Sequence, residues 1–143
     1  MSPLLNECIP YQDDGEQLPC SVLAGKSVVG KRFVKVAGDI QGGTPDALTT
    51  DTEGNNYQIE QSAAKDARAL GVASHNAAEK KKVTVLASPG MVVPVVAGGA
   101  ITAGEAVGIG TEGKAVKSDG EHPAVGLAMA TAAEGEDVPV RLF

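Results

Sequence analysis

The stretch Val125-Gly126-Leu127-Ala128-Met129-Ala130-Thr131-Ala132-Ala133-Glu134-Gly135-Glu136-Asp137-Val138-Pro139-Val140-Arg141-Leu142-Phe143 decides how this chain is read. Its last residues alternate, with Val138, Val140 and Leu142 on one face and Pro139, Arg141 and Phe143 on the other, the period of a half-buried strand. Pro139 cannot donate to a ladder, so this strand is expected at an edge or a bulge. Shifted back by 55 residues the same order of landmarks returns, with Leu70-Gly71-Val72-Ala73, then Ala77-Ala78-Glu79, then Val83-Thr84-Val85. From Leu70 to Leu86 against Val125 to Arg141, seven of seventeen positions are identical, which points to an internal duplication.

Working outward, Thr52-Glu53-Gly54 is echoed by Thr111-Glu112-Gly113, and Ala24-Gly25 by Ala97-Gly98. The half-repeats run over about 24–90 and 91–143, inside one β domain of residues 24–143. The first is longer, and its excess falls in Gly38-Asp39-Ile40-Gln41-Gly42-Gly43-Thr44-Pro45-Asp46, the composition of an inserted loop. Val83 with Val85 and Val107 with Ile109 repeat the strand alternation, and Glu112-Gly113 and Asp119-Gly120 supply turns. Ser62 to Leu70 is the best helix candidate, with Ser62 as cap and Ala63, Ala64, Ala67 and Ala69 as helix formers. The fold class expected is mostly β with one short helix. Residues 1–23 form an extended N-terminal arm, because Pro3, Pro10 and Pro19 oppose regular structure. Leu4, Leu5, Ile9 and Tyr11 give that arm apolar anchors for a partner.

Composition narrows the function. Hydrophobic residues make up 43%, enough for a core, but with two Phe, two Tyr and no Trp that core is built from Val, Ala, Leu and Ile. Such a module gains stability from a partner or from self-association. A net charge of -6 disfavours a phosphate-gripping surface, and Lys80-Lys81-Lys82 reads as a solvated turn, so nucleic acid is not expected as a partner. Met1-Ser2-Pro3-Leu4-Leu5 shows no basic n-region and no stretch approaches membrane-spanning length, so neither a secretory leader nor a membrane is expected. The spacing of Cys8 and Cys20 permits a disulfide, whereas synthesis in a cytosol favours two free thiols.

Chemical motifs are few. Gly108-Ile109-Gly110-Thr111-Glu112-Gly113 fits G-x-G-x-x-G, yet Lys114 to Gly120 is too short for the helix a dinucleotide needs, so a glycine-rich hairpin is expected. His75 and His122 lack metal-ligand spacing, and Ser74-His75 lacks a nucleophile elbow. No catalytic residue, cofactor or metal is assigned, and the chain is not expected to be an enzyme. Gly98 to Ala115 offers one competing reading, a lipoyl- or biotinyl-like carrier with Lys114 on a hairpin tip. Gly113 stands where lipoyl domains carry an acid and biotinyl domains a Met, which weighs against it.

The later half resembles a known family. Leu86-Ala87-Ser88-Pro89-Gly90-Met91-Val92-Val93-Pro94 leads to Ala100-Ile101-Thr102-Ala103-Gly104-Glu105-Ala106-Val107, then Val125-Gly126-Leu127-Ala128, Ala132-Ala133-Glu134-Gly135-Glu136 and Val138-Pro139-Val140-Arg141-Leu142. This order is similar to the cement (decoration) proteins of tailed-bacteriophage capsids, over about the last 60 residues closely and over 24–86 loosely. The proline-rich arm and the loop around Gly42 depart from it. The resemblance implies a small β-barrel or β-tulip built from two degenerate halves. It also implies a non-enzymatic virion protein, made in the host cytoplasm, that binds the major capsid protein on the capsid exterior, commonly as a homo-trimer. Another virion role, a head fibre or tail component, is the remaining alternative.

Overall fold

The structure, a computed structural model, describes residues 17–38 and 57–143. Strands β1 (Gln17–Val22), β2 (Phe33–Gly38), β3 (Tyr57–Gln61), β4 (Gly71–Ala73) and β5 (Lys82–Leu86) close into a barrel in the order β1-β3-β2-β4-β5. Neighbours are antiparallel except β1 and β3, which run parallel. Cys20, Val22, Val34, Ile59, Ala73, Val83 and Val85 alternate inward and fill the barrel, each no more than 2% exposed. β6 (Val92–Val96), β7 (Ala106–Ile109), β8 (Ala115–Lys117), β9 (Gly126–Ala128) and β10 (Asp137–Leu142) form a second sheet in the order β6-β10-β9-β7-β8. A parallel bridge between Ala97 and Ala115 joins its two edges. The alternation expected at Val83/Val85, Val107/Ile109 and Val138/Val140/Leu142 is present, with all seven side chains buried.

The two units share a strand plan. β4 and β9 begin 55 residues apart, at Gly71 and Gly126, and so do β5 and β10, at Lys82 and Asp137. Val72 pairs with Leu86 as Leu127 pairs with Arg141, and the Val28–Ala77 bridge is matched by Ile101–Ala132. Parallel β1 and β3 are answered by the parallel Ala97–Ala115 bridge. Gly71 and Gly126 do the same work. A Cβ on Gly71 would run into the Leu86 carbonyl, and one on Gly126 would stand 2.9 Å from the Arg141 carbonyl. We propose that the units are degenerate copies of one design. Within that scheme Ala97 takes the place of Val22, since Val22 N–H donates to Lys81 O and Ala97 N–H to Glu136 O. The match of Ala97-Gly98 to Ala24-Gly25 is therefore two residues out of register.

The expected helix at Ser62–Leu70 is absent. Its backbone donors are taken by distant acceptors: Ser62 N–H bonds Phe33 O at 3.0 Å, Lys65 N–H bonds Ile109 O at 3.0 Å and Leu70 N–H bonds Val34 O at 2.8 Å. Lys65 is also left-handed at φ 70°, and the buried Ser62 hydroxyl caps nothing. Among the described residues the helical turn that does form is the 3-10 turn Thr111–Gly113. A second correction concerns the arm, whose last residues, Gln17–Val22, are a barrel strand despite Pro19. Pairing with β3 starts only at Cys20, so the missing proline N–H breaks no bond on that side. Pro139 follows the same logic. β10 lies in the middle of its sheet, but β9 ends at Ala128, opposite Val140, so Pro139 sits just beyond it.

Two of the motifs that carried the family resemblance are turns. In Thr102-Ala103-Gly104-Glu105 and Ala133-Glu134-Gly135-Glu136 the glycine has φ of 89° and 86°, a conformation that favours Gly. The last residue's N–H bonds the first residue's carbonyl, and its carboxylate accepts from the first residue's N–H, at 2.7 Å for Glu105 and 2.8 Å for Glu136. The Thr102 N–H first, and Lys117 beside it, hold the Glu105 carboxyl below its usual range. The Glu105 turn is tightest while its carboxylate is ionised, and its contribution fades as pH falls through the depressed value.

Phe33, Val72 and Leu86 face out of the barrel and lie side by side across β2, β4 and β5. All three are buried against Met91, Val93, Leu142 and the rest of the second core. The seam is also tied by polar contacts. Lys31, 7% exposed, places Nζ 2.9 Å from Asp137 Oδ2 while its carbonyl accepts from Val96 N–H at 2.9 Å. Arg32 meets Glu112 at 3.2 Å, and Lys65 N–H reaches Ile109 O.

Candidate functional site

The residues that invited chemistry are each accounted for by structure. The Gly108–Gly113 string runs from β7 through the 3-10 turn into β8, the hairpin expected of it. Gly113 is pressed into the seam, where a Cβ would stand 2.6 Å from the Phe33 carbonyl. Lys114 follows directly, half-buried at the end of that turn, with its Cβ 3.1 Å from where a Gly98 Cβ would stand. Lys114 therefore lies against Gly98 of its own unit and not on the free hairpin tip that a carrier lysine occupies.

The Ser74 hydroxyl is buried without a partner while the His75 ring faces the Asn76 carbonyl, so no base reaches it. His122 belongs to a turn in which Asp119 accepts from its ring and from the N–H groups of Glu121 and His122, at 2.8–2.9 Å. The His122 ring first, then the Glu121 N–H, hold the Asp119 carboxyl below its usual range. Cys20 is a free thiol inside the barrel, and burial pushes its pKa up to about 12. Among the described residues no group of three or more His, Cys, Asp or Glu converges on a point.

What the surface offers is contact. Four large apolar side chains are exposed among the described residues: Val36, Tyr57, Met129 and Phe143. Val36 borders a shallow hollow with Lys35 and the Asp66–Leu70 segment. Phe143 borders a second hollow of about 250 Å³ at the seam, with Phe33, Leu70, Gly71 and Val125. The four anchors read from sequence, Leu4, Leu5, Ile9 and Tyr11, lie outside the described residues, as do Cys8 and the loop around Gly42. Met129 was missed by sequence reading. The signal that could have found it was its place two residues beyond Leu127, on the outward parity of β9.

A site without converging chemistry, on a protein of two small β units, agrees with a match over nearly the whole sequence: residues 13–142 fit the phage cement protein family. The chain belongs to that family. It is a structural protein of the phage virion, associated with the capsid. Its fold is shared by the "head fiber gp8.5 N base in bacteriophage phi29", with a TM-score of 0.66 and 20% identity over 90% of this cement protein and 93% of that chain. Among curated proteins nothing matches it.

Proposed function

We propose that this cement protein binds the exterior of the phage capsid and stabilises the shell by bridging neighbouring subunits of the major capsid protein, as a homo-trimer, without changing any covalent bond. The observation that carries the reading is the family match over residues 13–142. The small-residue cores and the exposed apolar groups support it, since such a module has surface to bury on a partner. A ligand of the assembled state alone stabilises it by about 2.7 kcal/mol per site at a hundredfold excess over its Kd. Three linked contacts in a trimer add avidity. Genome-filled particles carrying the protein should release DNA at a higher temperature than particles without it. Equal release temperatures would remove the bridging role.

The arm is part of the proposal. Leu4, Leu5, Ile9 and Tyr11 are to be buried on the shell, at an entropic cost that those contacts offset. Amides of residues 2–12 should exchange quickly in the free protein and slowly on shells; equal protection in both states would rule the arm out as a contact. The fold shared with a head-fibre base gives the second reading, anchorage of a projecting appendage. Electron microscopy of particles with and without the protein separates the two, because only the second adds a fibre.

A further inference from the structure

Apart from Asp137, which Lys31 pairs at the seam, and Arg141, the outward face of β9 and β10 is apolar where an antiparallel sheet ordinarily meets water with polar groups. Register places Leu127 opposite Arg141, while Phe143 N–H bonds Val125 O and Met129 N–H bonds Pro139 O. Val125, Leu127, Met129, Pro139 and Phe143 therefore share one face with Arg141. Met129 is 50% exposed and Phe143 60%. Arg141 is the only charged side chain among the six, and Asp137, outward on the same strand, is held by Lys31 at 2.9 Å. Arg141 has no ion pair among the described residues, and its guanidinium lies over Gly90, 3.5 Å from where a Cβ would stand.

The molecule already shows what this side of such a sheet can do. In the barrel the row Phe33–Val72–Leu86 crosses β2, β4 and β5 and is wholly covered by the second unit. The row in the same register on the second unit is Ala106–Leu127–Arg141, and none of its three residues is fully buried. The face also continues into the seam, because Val125 and Phe143 line the hollow there. Met, Phe and Arg are the residues that interface centres favour.

We infer that this face is the shell-facing surface of the second unit, and that its partner is an apolar patch of a capsid subunit bearing a carboxylate that pairs with Arg141. The inference rests on the cement reading above. A second copy of this chain fits less well. Pairing across a twofold axis through this face would bury two guanidinium groups while the carboxylate on the same face of β10, Asp137, is already held by Lys31.

The test uses capsid shells lacking the protein. A photoreactive benzoylphenylalanine at position 129 should cross-link to the shell subunit. Arg141→Glu and Phe143→Asp should each weaken binding about tenfold or more, while Lys80→Glu, on a barrel turn, should not. A cross-link to another copy of the chain, or to its own arm, overturns the inference. So does intact binding by both face variants, or no cross-link where the chain still binds. If the unsubstituted protein fails to bind shells, the cement reading falls, and this inference with it. Should a variant fail to fold, the cross-link at position 129 decides alone.

Discussion

A chain ending at Val140 is expected to lose most of its cooperative melt. Leu142 is 6% exposed, and burying a leucine contributes about 1.5–3 kcal/mol. Its carbonyl accepts from Gly90 N–H at 2.7 Å and its N–H donates to Met91 O at 2.9 Å, which fixes the turn between the units. Phe143 N–H holds Val125 at 3.2 Å, and Arg141 pairs with Leu127 and with Val92. Each such bond contributes about 1 kcal/mol net, against a whole-domain stability of about 5–15 kcal/mol. Thermal melts followed by circular dichroism would show it, with a midpoint lower by about 10 °C or more. An unchanged midpoint would mean that the end of β10 is not where the structure places it.

The second large effect is expected at Phe33, the one aromatic among the fully buried side chains of the described residues. It stands on the outside of the barrel and the inside of the molecule, so truncation opens a void between the two units. Phe33→Ala should cost about 3–5 kcal/mol, and Phe33→Leu, which refills most of the volume, much less. Its carbonyl is held by Gln61 Nε2 at 2.8 Å and by Ser62 N–H, so the backbone has little room to close the gap. Denaturant midpoints measure both variants. Alanine and leucine giving the same small loss would show that the seam is not packed around this ring.

Strands with one wet face were legible in the sequence, because Val83/Val85 and Val138/Val140/Leu142 alternate with groups that can meet solvent, whereas Val107 and Ile109 alternate across Gly108, which is buried under His122. The turns were legible too, since glycine and an acid at fixed spacing specify them. β6 gave no alternation, because Val92, Val93, Pro94 and Val95 are all buried. The alanine-rich Ser62–Leu70 segment misled for a related reason. Local propensity favours a helix there, but the donors are claimed by carbonyls of Phe33, Val34 and Ile109, up to 44 residues away between Lys65 and Ile109. β1 was hidden because its partners lie at Tyr57–Ile59 and Lys82–Leu86, far along the chain. Of the candidate surface, the outward parity of Pro139, Arg141 and Phe143 was visible, but the exposed Met129 beside it was not. Only register brings β9 next to β10.

The row Phe33–Val72–Leu86 has a consequence for synthesis. The barrel has all five of its strands once Leu86 has left the ribosome, but the residues that cover this row begin only at Met91. At about 5–20 residues per second, the remaining 57 residues, 143 minus 86, take several seconds to follow. During that interval a finished barrel presents a Phe, a Val and a Leu side by side to solvent. The second unit thus acts first as the lid of its own predecessor, before either meets a shell.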